Sequence, residues 1–182
     1  MNQLQRMPPA LQARAIGAVY LVYFVVALLS LVVFKQALGL VSVAIYVAVT
    51  LLFYILLRPV SHRLALLATA FSLAGQALAV LFHQSAAGLV CDGLFLILLG
   101  FLIVRSTFLP RPLGVLIVLA GLGWLTFAVP ALSGRIHTYV EGLGFVAEVA
   151  LMVWLLVVGV DLVRWRQLDG ARRAAPTVSA SP

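Results

Sequence analysis

Charge and cysteine are what this chain has least of. Only 9% of its 182 residues are charged, five of them acidic, while 64% are hydrophobic. So few polar groups cannot cover a water-soluble globule of this size, and a bilayer must serve as the solvent. The one cysteine, Cys91, lies inside an apolar run. It excludes an intramolecular disulfide and any C-x-x-C redox or metal motif. No H-x-x-x-H or H-E-x-x-H spacing occurs, and no nucleotide-binding loop, so neither a metal site nor a cofactor is expected. The excess of basic residues gives a net charge of +7, but these residues sit at the ends of apolar runs, where they act as topological anchors. Nucleic acid is therefore not an expected partner; the lipid bilayer is.

What is present is a series of six apolar runs. A hydrocarbon core of about 30 Å needs about 20 apolar residues in helical form. Runs of that length extend from Ala15 to Phe34, Leu38 to Leu57, Leu64 to Phe82, Ala86 to Val104, Leu113 to Leu132 and Tyr139 to Val160, with Pro, Gly and charged residues between them. The predicted fold class is all-α, an integral membrane bundle of six transmembrane helices. Pro59 closes the second helix, Pro110 and Pro112 fall in the first turn of the fifth, and Pro130 marks its far end. The connections are a few residues long, so neighbouring helices should be antiparallel, with no second domain. Residues 1–14 read as a cytoplasmic N-terminal segment, 15–164 as the membrane domain, and 165–182 as a disordered cytoplasmic tail.

The arginines set the orientation. Ten of them, from Arg6 to Arg173, fall in the N-terminus, the second and fourth loops and the C-terminus, whereas Lys35 and Arg135 lie opposite. That asymmetry predicts both termini in the cytoplasm. The first run lacks a clear cleavage site and is expected to be retained. Heavy use of Arg, Ala, Leu and Val points to a GC-rich bacterial genome and hence to a bacterial inner membrane. The two three-helix halves share no internal repeat, so a transporter built from inverted repeats gains no support.

Polar residues recur at i, i+3 and i+7, the spacing of one helix face. The third helix presents Thr69, Ser72, Gln76 and His83; the fourth Ser85, Gly88 and Asp92; the sixth Glu141, Gly144 and Glu148. The first adds Tyr20, Tyr23 and Ser30, and the second Ser42, Tyr46 and Thr50. With the orientation above, Gln76, Asp92 and Glu148 each lie about 10 Å inside the outer boundary marked by His83, Ser85 and Glu141. Intramembrane acids are costly, and normally face the bundle interior and find partners. The candidate ligand-binding set is Glu148, Asp92, Gln76, Glu141, His83 and Tyr46, around an outward-opening pocket for a small apolar molecule or a lipid. Two other readings stay open: an intramembrane enzyme using Asp92 or Glu148 as general acid or base, and a structural protein whose polar groups only hold helices together or face a membrane partner. A void-free layer around Glu148 would favour the last. Glycines at 93 and 100, and at 114, 121 and 123, recur about two turns apart and permit close helix contact. Trp124 and Trp154 read as lipid-facing or core, and Trp165 between Arg164 and Arg166 as an interfacial anchor.

Three stretches, Tyr54 to Leu78, Gly93 to Leu125 and Glu141 to Val160, resemble the bacterial membrane family catalogued as domain of unknown function 4386. The resemblance rests on the Leu-Leu-Arg-Pro-Val turn, the Arg-Ser-x-x-Leu-Pro-Arg turn and the Ala-Gly-Leu-Gly segment. It implies a six-helix membrane protein and no particular activity. It also implies an acidic position in the last helix, matched by Glu148, with no counterpart for Asp92. The chain departs from the family pattern at its first outer loop, which is almost a bare turn from Phe34 to Leu38.

Overall fold

A computed structural model describes residues 9–32, 37–82 and 86–174. The described chain is all helical: α1 (Pro9–Val32), α2 (Ala37–Leu57), α3 (His62–Phe82), α4 (Ala86–Arg105), α5 (Arg111–Leu125), α6 (Pro130–Val157) and α7 (Leu162–Ala174), with a 3-10 turn at Thr126–Ala128 between α5 and α6. No strand occurs among the described residues. Five helices are long and apolar enough to cross a membrane, within α2 to α6, while the apolar stretch of α1, Ala13–Leu29, is shorter. Large apolar side chains such as Leu66, Leu119, Leu122, Val146 and Val153 stand exposed along the outside, a surface that water would not tolerate and lipid does. The protein is a multi-pass helical membrane protein.

Each of α1 to α6 packs on its neighbours in the chain, and α6 returns to α1, so the order around the bundle is the order in the sequence. The closest seam joins α4 to α5, and glycine makes it. A Cβ placed on Gly100 would stand 2.5 Å from the Gly114 carbonyl oxygen, and one on Gly114 would stand 2.7 Å from that of Gly100. One repeat further along, a Cβ on Gly121 would lie 2.7 Å from the Gly93 oxygen, and one on Gly93 would lie 3.0 Å from that of Gly121. The two-turn spacing read in the sequence is thus an antiparallel register in which backbone touches backbone. Gly75 of α3 and Gly88 of α4 meet in the same way, each with its Cβ position 3.2–3.3 Å from the other's carbonyl oxygen. At the far side, Gly17 of α1 lies against the backbone of Leu155 and Leu156 in α6.

The chain ends differ from expectation. The arginine-rich end carries α7, where the sequence reading placed a disordered tail from residue 165. Gly159, at φ 77°, ends α6 with its N–H on the Trp154 carbonyl, 2.9 Å away, in the left-handed conformation that glycine adopts without strain. Asp161 then starts α7, its Oδ1 accepting from the N–H groups of Val163 and Arg164 at 3.0 and 3.2 Å. Trp165 donates its indole N–H to the Leu56 carbonyl at 3.1 Å, Arg164 reaches the Thr107 carbonyl at 3.1 Å, and Asp161 donates its N–H to that of Phe108 at 3.3 Å. The anchor therefore grips the end of α2 and the α4–α5 turn. At the opposite end Arg135 and His137, expected in a loop, lie in the first turns of α6, because Pro130 opens a helix here and does not close one. Phe34 to Leu38 falls mostly outside the described residues.

If the α4–α5 seam holds the bundle, Gly100→Leu forces two backbones apart. We expect a loss of roughly 3 kcal/mol, on the order of 10 °C in the unfolding midpoint, measured by circular dichroism on detergent-extracted protein. Gly142→Leu, at a position with open space around it, should leave the midpoint within about 2 °C. Equal midpoints for the two variants would refute the role of the seam.

Candidate functional site

Polar side chains from successive helices meet inside the bundle at two levels. Near its middle, Thr50 of α2 and Ser72 of α3, both buried, share a hydrogen bond of 2.8 Å. Thr69 returns its hydroxyl to the Ala65 carbonyl of its own helix at 2.9 Å. These groups satisfy one another and leave nothing for a ligand.

The second level is a cavity of about 450 Å³ to which α1 through α6 all contribute. Of the candidates named from the sequence, Glu148, Asp92, Gln76, Glu141 and Tyr46 line it together; His83 lies outside the described residues. Glu148 comes from α6 and accepts a hydrogen bond of 2.6 Å from the Tyr20 hydroxyl of α1, which ties the two helices that close the ring. Asp92 comes from α4, and the Gln76 amide approaches its carboxyl group from α3. Oδ1 of Asp92 lies directly against Gly75, in the space that any side chain there would fill. Glu141, about half exposed, marks the end of the cavity away from the arginine-rich face, with His137 Nε2 3.3 Å from its Oε1.

Aromatic rings complete the wall. Tyr23 and Tyr46 have ring centroids 5.0 Å apart, Tyr46 stands edge-on to Phe95 at 6.3 Å, and Phe24 meets Phe145 at 5.6 Å. Trp124 of α5 also lines the cavity, its indole nitrogen 2.7 Å from where a Cβ on Gly144 would be. The sequence reading placed Trp124 with lipid or core and did not include it among the site residues. The available signal was Gly144, which shares a helix face with Glu141 and Glu148 and leaves room for the indole. Two atoms of this wall, Asp92 Oδ1 and Trp124 Nε1, are buried without a hydrogen-bond partner among the described residues. One is an acceptor and the other a donor. No three His, Cys, Asp or Glu among the described residues come together as a metal centre requires.

The family described as Domain of unknown function (DUF4386) matches residues 75–159. An uncharacterized protein of Archaeoglobus fulgidus is 32% identical over 127 residues, which cover 62% of this chain and 76% of that relative. The chain belongs to the DUF4386 family. No solved structure matches it. The DUF4386 segment begins at Gly75 and ends at Gly159, so it takes in Gln76, Asp92, Trp124, Glu141 and Glu148 and leaves the tyrosines of α1 and α2 outside.

The Tyr20–Glu148 bond is measurable. Interhelical hydrogen bonds in membranes contribute about 0.6 kcal/mol on average and about 1.7 at most. A double-mutant cycle of Tyr20→Phe and Glu148→Leu, read by unfolding equilibria, should give a coupling of about 0.5–1.5 kcal/mol. Zero coupling would mean that the bond contributes nothing to holding α1 on α6.

Proposed function

We propose that this DUF4386 protein is a non-enzymatic inner-membrane protein of a bacterium that binds a small, largely apolar molecule or lipid between its helices. Glu148, Asp92, Gln76, Glu141 and Tyr46 are its polar contacts. The observation that carries this reading is the 450 Å³ cavity around those side chains, within the range of pockets that enclose drug-sized molecules. The cavity is partly open and not sealed within the core, so a molecule can enter it. The unsatisfied atoms Asp92 Oδ1 and Trp124 Nε1 support an occupant, because a buried polar atom left unpaired costs about 1–3 kcal/mol. Glu148 also serves as interhelical glue through Tyr20, whereas Asp92 has no such tie at Oδ1.

The topology we propose has six spans with both termini in the cytoplasm. The 24 residues of α1 extend about 36 Å as a helix, which supports a sixth crossing. Arg14 is in α1, Arg58 follows α2, Arg63 is near the start of α3, Arg105 ends α4, Arg111 starts α5, and Arg164 and Arg166 are in α7, and α7 bonds directly to the end of α2 and to the α4–α5 turn. The positive-inside rule makes that face cytoplasmic and directs the Glu141 end outward.

Both parts are testable. Native mass spectrometry of gently extracted protein should reveal a discrete co-purifying mass in the wild type, reduced at least tenfold in Asp92→Asn and Glu148→Gln; a bare chain in every sample, with folding intact, would leave the acids as packing groups. In a Cys91→Ala background, Arg135→Cys should react with a membrane-impermeant maleimide on intact cells and Arg63→Cys only after lysis. The opposite labelling pattern would invert the topology.

A further inference from the structure

The charges around the cavity do not balance. Asp92 and Glu148 line it and Glu141 stands at its end, yet no Lys, Arg or His is among its lining residues within the described part of the chain. The described arginines other than Arg135 belong to the opposite face, and His137 already faces Glu141. Acids inside a membrane normally pair with a cation or with backbone groups. Here the hydrogen bonds reaching them come from neutral groups, the Tyr20 hydroxyl and the Gln76 amide. The remaining wall is aromatic, with Tyr23, Phe24, Tyr46, Trp124 and Phe145 in it. The electron-rich faces of such rings attract a cation within about 6 Å of the ring centre.

Resting on the pocket reading above, the geometry points to an organic monocation as the occupant: an amine, quaternary ammonium or phosphonium centre carried on an apolar body. The cationic centre lies between the Asp92 and Glu148 carboxyls, facing the Tyr23–Tyr46 ring pair, and supplies the positive charge that the protein omits. The apolar body takes the space bounded by Leu28, Leu96 and Phe145. Among the described residues no basic side chain faces the cavity to balance a carboxylate or phosphate headgroup, so anionic amphiphiles are disfavoured. A neutral alcohol would satisfy the hydrogen bonds of Asp92 but bring no positive charge to either acid.

The full chain in dodecyl maltoside micelles can be dialysed to equilibrium against radiolabelled tetraphenylphosphonium and, in separate cells, against radiolabelled tetraphenylborate, a probe of the same shape and opposite charge. We expect one phosphonium bound per chain, no saturable binding of the borate, at least tenfold weaker phosphonium binding in Asp92→Asn and in Glu148→Gln, and no measurable binding in the double variant. Saturable borate binding as tight as that of the phosphonium, or amide variants that are folded and bind as the wild type does, would overturn the inference. The wild-type comparison alone decides the matter should the variants fail to fold. If phosphonium does not bind but 1-dodecanol binds saturably and shifts the tryptophan emission, the cation is wrong and the pocket stands. Saturable binding of neither probe removes the pocket as well.

Discussion

Backbone-to-backbone contact along α4 is the constraint on which the rest of the bundle depends. Lipid offers helices no hydrophobic incentive to associate, so close packing and interhelical hydrogen bonds must supply it. Gly93 and Gly100 bring α4 onto Gly121 and Gly114 of α5, and Gly88 brings it onto Gly75 of α3. Three consecutive helices are thereby drawn into one tight wall. The opposite wall, made by α1, α2 and α6, carries the large rings of Tyr20, Tyr23, Phe24, Tyr46 and Phe145. Rings of that size hold helices apart, and the cavity is the volume left between a wall drawn tight by glycine and a wall that carries bulky rings.

The same seam explains where Asp92 sits. Gly75 has no side chain, so the Asp92 carboxyl can lie flat on α3 with Oδ1 over that residue. An alanine there would push the carboxyl away. Glu148 is treated differently: its longer side chain reaches across to Tyr20 and closes the ring of helices where α6 returns to α1. The two acids are thus chemically alike and structurally unlike, one engaged in assembly and one with an oxygen to spare.

How much of this could be read from residues alone follows from the kind of signal each feature leaves. Apolar runs and arginine bias are averages over many residues, which is why the spans α2 to α6 and the arginine-rich face were legible. Glycine spacing of seven was legible too, since period and helix geometry together dictate one face. The depth of Gln76, Asp92 and Glu148 along their helices could be counted, and these residues do line one cavity. Trp124 could not be placed, because its position depends on how α5 is rotated against Gly144, a relation between helices that no spacing within either one encodes. The start of α6 was misread for a related reason: a proline opens a helix as readily as it ends one, and Pro130 does the former. The helix α7 escaped notice because its anchors are the carbonyls of Leu56 and Thr107, more than 50 residues away in the chain.

Taken together, the placement of charge is the least economical feature of the molecule unless it has a use. Arginines cluster on one face, where α7 locks the end of α2 and the α4–α5 turn, and acids lie within the hydrophobic thickness toward the other. Moving one arginine inward would have neutralised Asp92 at the cost of a second buried ion, and a leucine in its place would have removed the charge altogether. Neither substitution would disturb the glycine seam, which depends on backbone contact. The fold therefore does not require an acid at position 92, which supports the role proposed for Asp92 in the cavity.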